Sequence, residues 1–392
     1  MQKQSGESAF RGDVCHNRGV SDTPIRPAIL KMSPYSPGKP IDEVKRELGL
    51  DRVVKLASNE NPLGPSPRAV EAVKAAAETL HLYPDASCFS LREALATKYG
   101  LPMNQIVVGN GSDEIIHLLG QIFLEGEGDE IIVGDPSFVR YDAAAGLANC
   151  RLTKVPLTAD MRLDIPAMAA RASERTKLIF IANPNNPTGT IVSQVEIEGL
   201  LQSVPSSTVV VLDEAYFEFA QGAPGMPNSL DYLSRFPNVV GMRTMSKAYG
   251  LAGLRVGYAF VSPEISDAID RAREPFNVNI LAQAAAIGAL SDDDYVARTV
   301  AMNQAGLDRL TALFKETGGT PYESHANFIL ADIGQPAEPV FQALLRKGVI
   351  TRSGHVLGLP NCLRVSVGTP EELDVFVESY RAVLAEKSPA HS

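Results

Sequence analysis

TVVVLDEAYFEF, residues 208–219, joins an unbroken apolar run, Val209–Leu212, to two carboxylates, Asp213 and Glu214. Four successive apolar residues leave no polar face, as expected of a strand buried on both sides of a mostly parallel sheet. A carboxylate ending such a strand is costly to bury without a cation, so its partner is expected to be a ligand. Five other runs repeat the pattern: QIVV (105–108), EIIVG (130–134), KLIFIAN (177–183), NVVGMRT (238–244) and RVGYAFV (255–261). Helical stretches separate them. Strand–helix alternation of this kind predicts a doubly wound α/β domain, whose ligands sit beyond the carboxyl ends of the strands.

The pattern changes after Pro275. A long helix is predicted from about Asp293 to Thr317, with Val296, Val300, Leu307, Leu310 and Phe314 on one face and Gly318-Gly319 ending it. ANFILADI (326–333), a helix near 339–347, CLRVSVG (362–368) and a final helix near 370–385 then read as a smaller α+β domain. Before the alternation, the proline-rich stretch 24–40 reads as an extended arm, and Ile41–Leu48 as a short helix stopped by Gly49. The expected organisation is a flexible extension over 1–30, an arm over 31–58 joining the small domain, a large domain over 59–290 and the small domain over 291–392. At 392 residues the chain has the length of two or three domains.

Composition excludes several classes of function. With 36 Lys+Arg against 46 Asp+Glu the net charge is −10, which gives no general footprint for nucleic acid. No apolar run approaches the roughly 18 residues of a membrane span, and residues 1–21 lack the apolar stretch of a secretory signal. Cys15, Cys88, Cys150 and Cys362 lie far apart, which fits a reducing cytoplasm rather than a disulfide framework. The six histidines show no paired spacing either, so no metal site is expected. Asp292–Asp294 read as acids opposing a helix dipole, and His117 as a packed histidine.

Four loops at strand ends carry the chemistry. In TMSKAYGLAGLRVGYAF (244–260), Lys247 follows a serine in a glycine-bearing loop, with Arg255 eight residues on. A lysine amine becomes a nucleophile when desolvated or placed near other cations. VVGNGSDEII (107–116) reads as strand, glycine turn and helix start, so the N–H groups of Gly111, Ser112 and Asp113 face any phosphate placed there. A dinucleotide-binding dehydrogenase would use that turn too, but Glu114 stands where its third glycine is expected and Lys247 would be unexplained. Taken alone, the turn equally suits a helix capped by Ser112 or Asp113. ANPNNPTGT (182–190) and DEAY (213–216) complete the set.

Together and in this order, NPNNPTG, DEAY and SKAYGLAGLRVGY resemble the fold-type-I, pyridoxal-phosphate-dependent aminotransferases, over the chain from about Pro34 onward. PYSPGKP, LASNENPLGPSP, LYPD, NGSDEII and PFNVN are most similar to the histidinol-phosphate aminotransferase family within that fold. His81-Leu82-Tyr83-Pro84 departs from that family's usual Asn-Arg-Tyr-Pro.

The resemblance implies pyridoxal 5′-phosphate as cofactor, with Lys247 forming the internal aldimine and moving the substrate proton. Asp213 would hold the pyridine nitrogen protonated. Tyr216 and Asn186 would hydrogen-bond the phenolic oxygen, and Phe138 would stack on the ring. Ser246, Arg255 and the turn Gly111–Ser112–Asp113 would hold the phosphate, with Tyr83 reaching the phosphate of the neighbouring subunit in a homodimer with shared sites. Arg352 and Arg364 match positions that grip substrate phosphate and oxo-acid carboxylate. Tyr35 and Asn59 are expected near the substrate amine and imidazole, with Asn327 a weaker candidate. The implied reaction is transamination of histidinol phosphate with 2-oxoglutarate by a ping-pong route in the cytoplasm. An aromatic aminotransferase and a threonine-phosphate decarboxylase remain alternatives on the same fold.

Overall fold

The computed structural model describes residues 23–34 and 38–387. A short strand, β1 (Val54–Lys55), precedes the alternation. β2 (Ile106–Gly109), β3 (Glu130–Asp135), β4 (Arg151–Pro156), β5 (Thr176–Ala182), β6 (Val209–Asp213), β7 (Val239–Thr244) and β8 (Gly257–Phe260) form one sheet of order β2-β8-β7-β6-β5-β3-β4. All neighbours pair in parallel except β8, which runs antiparallel to β2 and β7. The unbroken apolar runs have a simple cause. Val209 and Val211 pack into the core on one face of the sheet, Val210 and Leu212 into the core on the other. Both faces are covered, so a period of two leaves no polar positions.

β4 has no counterpart among the strands read from sequence. It lies at the sheet edge, and within it only Val155 is fully buried. An edge strand tolerates a half-buried Thr153 and an exposed Lys154 and carries no continuous apolar signal.

β9 (Thr320–Pro321), β10 (Phe328–Asp332), β11 (Val349–Ile350), β12 (Arg352–Ser353) and β13 (Cys362–Ser366) follow. An antiparallel sheet of order β12-β13-β10-β9 packs with the helices Asp293–Glu316, Ala337–Arg346 and Pro370–Lys387 around Leu310, Phe314, Phe376 and Tyr380. β1 joins this part of the molecule, pairing in parallel with β11. Burying an aromatic or leucine side chain there contributes roughly 1.5–3 kcal/mol each.

Three local readings are corrected. The proline-rich arm contains one helical turn, Pro27–Leu30, entered through Pro27 at the first helical position. The helix after the glycine turn begins at Ser112 with Gly111 as its N-cap and no side-chain cap, so neither Ser112 nor Asp113 caps it. In the long helix Val296 and Val300 are only half-buried, and the enclosed face of its first half is Tyr295, Thr299 and Asn303. Polar groups are tolerated there because they are paired: Asn61 Nδ2 donates to Thr299 Oγ1 at 3.2 Å, and Asn303 Nδ2 to the Ala326 carbonyl at 3.0 Å.

Candidate active site

The register sets Ala182, Asp213 and Met242 side by side across β5, β6 and β7. The loops leaving these three strands therefore converge at their carboxyl ends. They line a cleft of about 230 Å³, closed from the small-sheet side by Arg352, Leu357 and Arg364. Lys247 enters from the loop after β7, and its Nζ lies 3.4 Å from the Ser58 carbonyl and 5.7 Å from the centre of the Tyr216 ring. Burial, together with the nearby Arg364 cation, lowers its amine to a pKa of about 8. That enlarges the fraction of uncharged amine, the form that attacks a carbonyl.

Asp213 is 4% exposed. Its Oδ2 accepts from Tyr141 Oη at 2.7 Å and its Oδ1 from the Ala215 N–H at 3.2 Å. Burial outweighs these bonds and raises its carboxyl to about 6. Phe138 lines the cleft and meets Tyr141 edge-on at 5.6 Å, and Tyr141 stacks on Phe180 at 4.4 Å. Tyr141 was not among the residues chosen from sequence. Its signal was an aromatic three positions after Phe138, the spacing that keeps two side chains on one side of a helical turn.

Tyr216 Oη accepts from Asn59 Nδ2 at 3.0 Å and from Asn186 Nδ2 at 3.3 Å. Burial pushes the phenol up to about 12. Arg364 Nη1 donates to Asn186 Oδ1 at 2.6 Å, and Nη2 to the Ala57 carbonyl at 2.8 Å. Arg352 and Arg364 are direct partners across β12 and β13, so both guanidiniums leave the same face of the small sheet. Both line the cleft.

A cradle lies at the start of the helix Ser112–Phe123. Gly111 has φ +75°, and a Cβ there would fall 2.6 Å from Arg255 Nη2. A Cβ on Gly257 would meet the Ser112 nitrogen at 2.5 Å. Arg255 reaches Ser246 Oγ at 3.5 Å and Asp113 Oδ2 at 3.4 Å. Backbone N–H groups at a helix start, a hydroxyl and a guanidinium make a site suited to phosphate.

Of the residues chosen from sequence, Asn59, Ser112, Asp113, Phe138, Asn186, Asp213, Tyr216, Ser246, Lys247, Arg255, Arg352 and Arg364 all line this one cleft. Gly111 touches it through Arg255. Tyr83 does not join them; it is 81% exposed and stacks on Phe276 at 4.7 Å. Tyr35 lies outside the described residues. Asn327 sits one layer behind, donating to the Asn59 carbonyl at 3.0 Å. Cys88 and Cys362 are buried, and burial pushes their thiols up to about 11 and about 12. Among the described residues no group of three or more His, Cys, Asp or Glu is placed to hold a metal ion, and no helix is long and apolar enough to cross a membrane.

A mostly parallel sheet with its cleft at the carboxyl ends of the strands, faced by a smaller antiparallel sheet, is the fold of the fold-type-I aminotransferases. The chain belongs to the Aminotransferase class I and II family, which matches residues 51–379. It is similar, at 49% identity over 98% of the chain and 100% of the relative, to the histidinol-phosphate aminotransferase of Moorella thermoacetica. It is 47% identical to that of Symbiobacterium thermophilum over 92% of the chain and 99% of the relative. The histidinol-phosphate aminotransferase of Sinorhizobium meliloti, solved in complex with pyridoxal-5′-phosphate, superposes with a TM-score of 0.86 at 28% identity, covering 94% of this chain and 99% of that one.

Proposed function

We propose that the chain transfers the amino group of L-histidinol phosphate to 2-oxoglutarate, giving imidazole-acetol phosphate and L-glutamate, with pyridoxal 5′-phosphate held at Lys247. The observation that carries the substrate is the direct pairing of Arg352 with Arg364 in the cleft that also holds Lys247. A guanidinium fork meets phosphate or carboxylate bidentately. Arg352 suits the substrate phosphate and Arg364 the oxo-acid carboxylate. The names and identities of the curated relatives support the same substrate.

The residues fit the cofactor. Gly111 and Gly257 keep the cradle open where side chains would fill it. Asp213 is a buried carboxylate whose described partners are a phenol and an N–H, which leaves it suited to a cationic ring nitrogen. When bound, pyridoxal phosphate would supply an aldehyde reactive toward amines and a protonated ring that accepts electrons. Lys247 would hold the cofactor and move the proton at the substrate Cα. Phe138 would pack on the ring, and Tyr216 with Asn186 would hydrogen-bond its phenolic oxygen. Ser112, Asp113, Ser246 and Arg255 would bind its phosphate. Asn59 would border the substrate side.

Both substrates would occupy the one cleft beside Lys247, so the first product leaves before the oxo acid enters, which is a ping-pong route. Tyr83 stands outside its own cleft, and we read it as serving the phosphate of a second copy in a homodimer, acting in the cytoplasm. Steady-state rates on histidinol phosphate, phenylalanine and threonine phosphate, measured side by side, test the reading. Histidinol phosphate should show the highest kcat/KM. Dominance of phenylalanine would make the enzyme an aromatic aminotransferase, and carbon dioxide released from threonine phosphate would make it a decarboxylase.

A further inference from the structure

Tyr216 Oη receives two amide N–H groups, and each amide is turned by a neighbour that fixes which end faces the phenol. On one side, Arg364 Nη1 donates to Asn186 Oδ1 at 2.6 Å. A guanidinium has no acceptor, so the Asn186 NH₂ must face Tyr216. On the other side, Ser366 Oγ donates to Asn59 Oδ1 at 2.7 Å and accepts from the Asn59 N–H at 3.0 Å. Turning the Asn59 amide over would cost the Ser366 hydroxyl, in a residue 3% exposed, the acceptor it has here. Asn327 Nδ2 holds the Asn59 carbonyl as well, and Asn59 itself sits in the left-handed region at φ 54°, which asparagine tolerates.

A phenol oxygen has one proton and two acceptor directions. With both acceptor directions taken by NH₂ groups, the Tyr216 proton has only the cleft left to point into. We propose that Ser366 is a positioning residue that, by locking the Asn59 amide, makes Tyr216 a dedicated hydrogen-bond donor to the group bound in the cleft. Ser366 and Arg364 alternate on β13, so one strand of the small sheet orients both amides. The charged groups around the phenol are Arg364, Asp213 and Lys247.

The proposal rests on the reading that pyridoxal phosphate binds with its phenolic oxygen toward Tyr216. A donor to that oxygen stabilises its negative charge, so losing the donor raises the apparent pKa of the bound chromophore. The test is a visible-absorbance pH titration of the holoenzyme. Tyr216→Phe should raise that pKa. Ser366→Ala should raise it in the same direction by roughly 0.4–1 pH unit, the worth of one neutral hydrogen bond. Ser366→Thr, which keeps the hydroxyl, should titrate as wild type. Asn59→Asp offers the phenol an acceptor instead of a donor and should shift the titration as far as Tyr216→Phe. Added to Tyr216→Phe, Ser366→Ala should produce no further shift. Wild-type titration of Ser366→Ala, or an equal shift in the Tyr216→Phe background, overturns the proposal. If Ser366→Ala does not fold, wild-type titration of Asn59→Asp overturns it. If Tyr216→Phe itself titrates as wild type, the cofactor orientation and this inference fall together.

Discussion

Asp213 and Glu214 are consecutive, equally buried and opposite in their fate. Glu214, 2% exposed, lies behind the cleft, where Arg243 Nε donates to its Oε2 at 2.9 Å, Ser229 Oγ at 2.8 Å and the Ser229 N–H to its Oε1 at 2.7 Å. Arg243 is itself sandwiched against the Phe217 ring at 3.7 Å and donates to Asn228. That carboxylate is satisfied by the protein. Asp213, on the cleft side, has one phenol and one N–H, and among the described residues no cationic side chain forms an ion pair with it. Burial, which the phenol and the N–H only partly offset, raises its carboxyl to about 6. A buried acid paired from within is part of the fold, whereas one left short of a cation at a cleft wall is part of a binding site.

The largest effect should come from the cleft. Lys247→Ala is expected to abolish the visible cofactor band and nearly all turnover while leaving far-UV circular dichroism unchanged. Asp213→Asn should keep the cofactor bound yet lose several orders of magnitude in single-turnover rate, because a neutral ring is a poor electron sink. Near-normal turnover in that variant would make Asp213 structural, like its neighbour. Glu214→Gln should behave oppositely. It strands the Arg243 charge, so denaturant unfolding should report a loss of ~3–5 kcal/mol with turnover per folded molecule largely kept.

The pH dependence of the apoprotein sharpens the contrast. Asp213 binds its proton more tightly folded than unfolded, with a pKa of about 6 against 3.8. Its contribution therefore favours the fold below the unfolded value and is lost as pH rises through about 6. The two-unit difference corresponds to about 3 kcal/mol. The unfolding midpoint of wild type relative to Asp213→Asn should fall over that window, and pyridoxal phosphate should remove the difference. The smallest effect concerns specificity. Arg352→Ala removes one charge-assisted contact worth roughly 1.5–3 kcal/mol, a loss of about 10- to 150-fold in kcat/KM for histidinol phosphate. Use of phenylalanine should change far less.

Most of the cleft was legible because its residues sit where periodicity breaks. Asp213 ends an apolar run, Lys247 follows a serine in a strand-to-strand loop, and Gly111 interrupts a strand-to-helix turn. β4 was not legible, since an edge strand with one buried residue has no apolar signature. Tyr141 and Ser366 were hidden for another reason. Each acts through a partner distant in sequence: Tyr141 on Asp213, and Ser366 on Asn59 across 307 positions. Only the pairing of β10 with β13 and the return of the chain past Leu56 bring that second contact about. Leu307, Leu310 and Phe314 of the long helix are buried as read, but the face of its first half was missed on similar grounds, because Thr299 and Asn303 are buried with hydrogen bonds rather than by hydrophobicity.

The central claim is that one lysine, Lys247, carries the cofactor in this cleft. Borohydride reduction of the holoenzyme followed by peptide mapping tests it most directly. The account predicts a single pyridoxyl-modified peptide, spanning Thr244–Arg255 and labelled at Lys247. Label at any other lysine, or no label in a protein that still turns over, would contradict it.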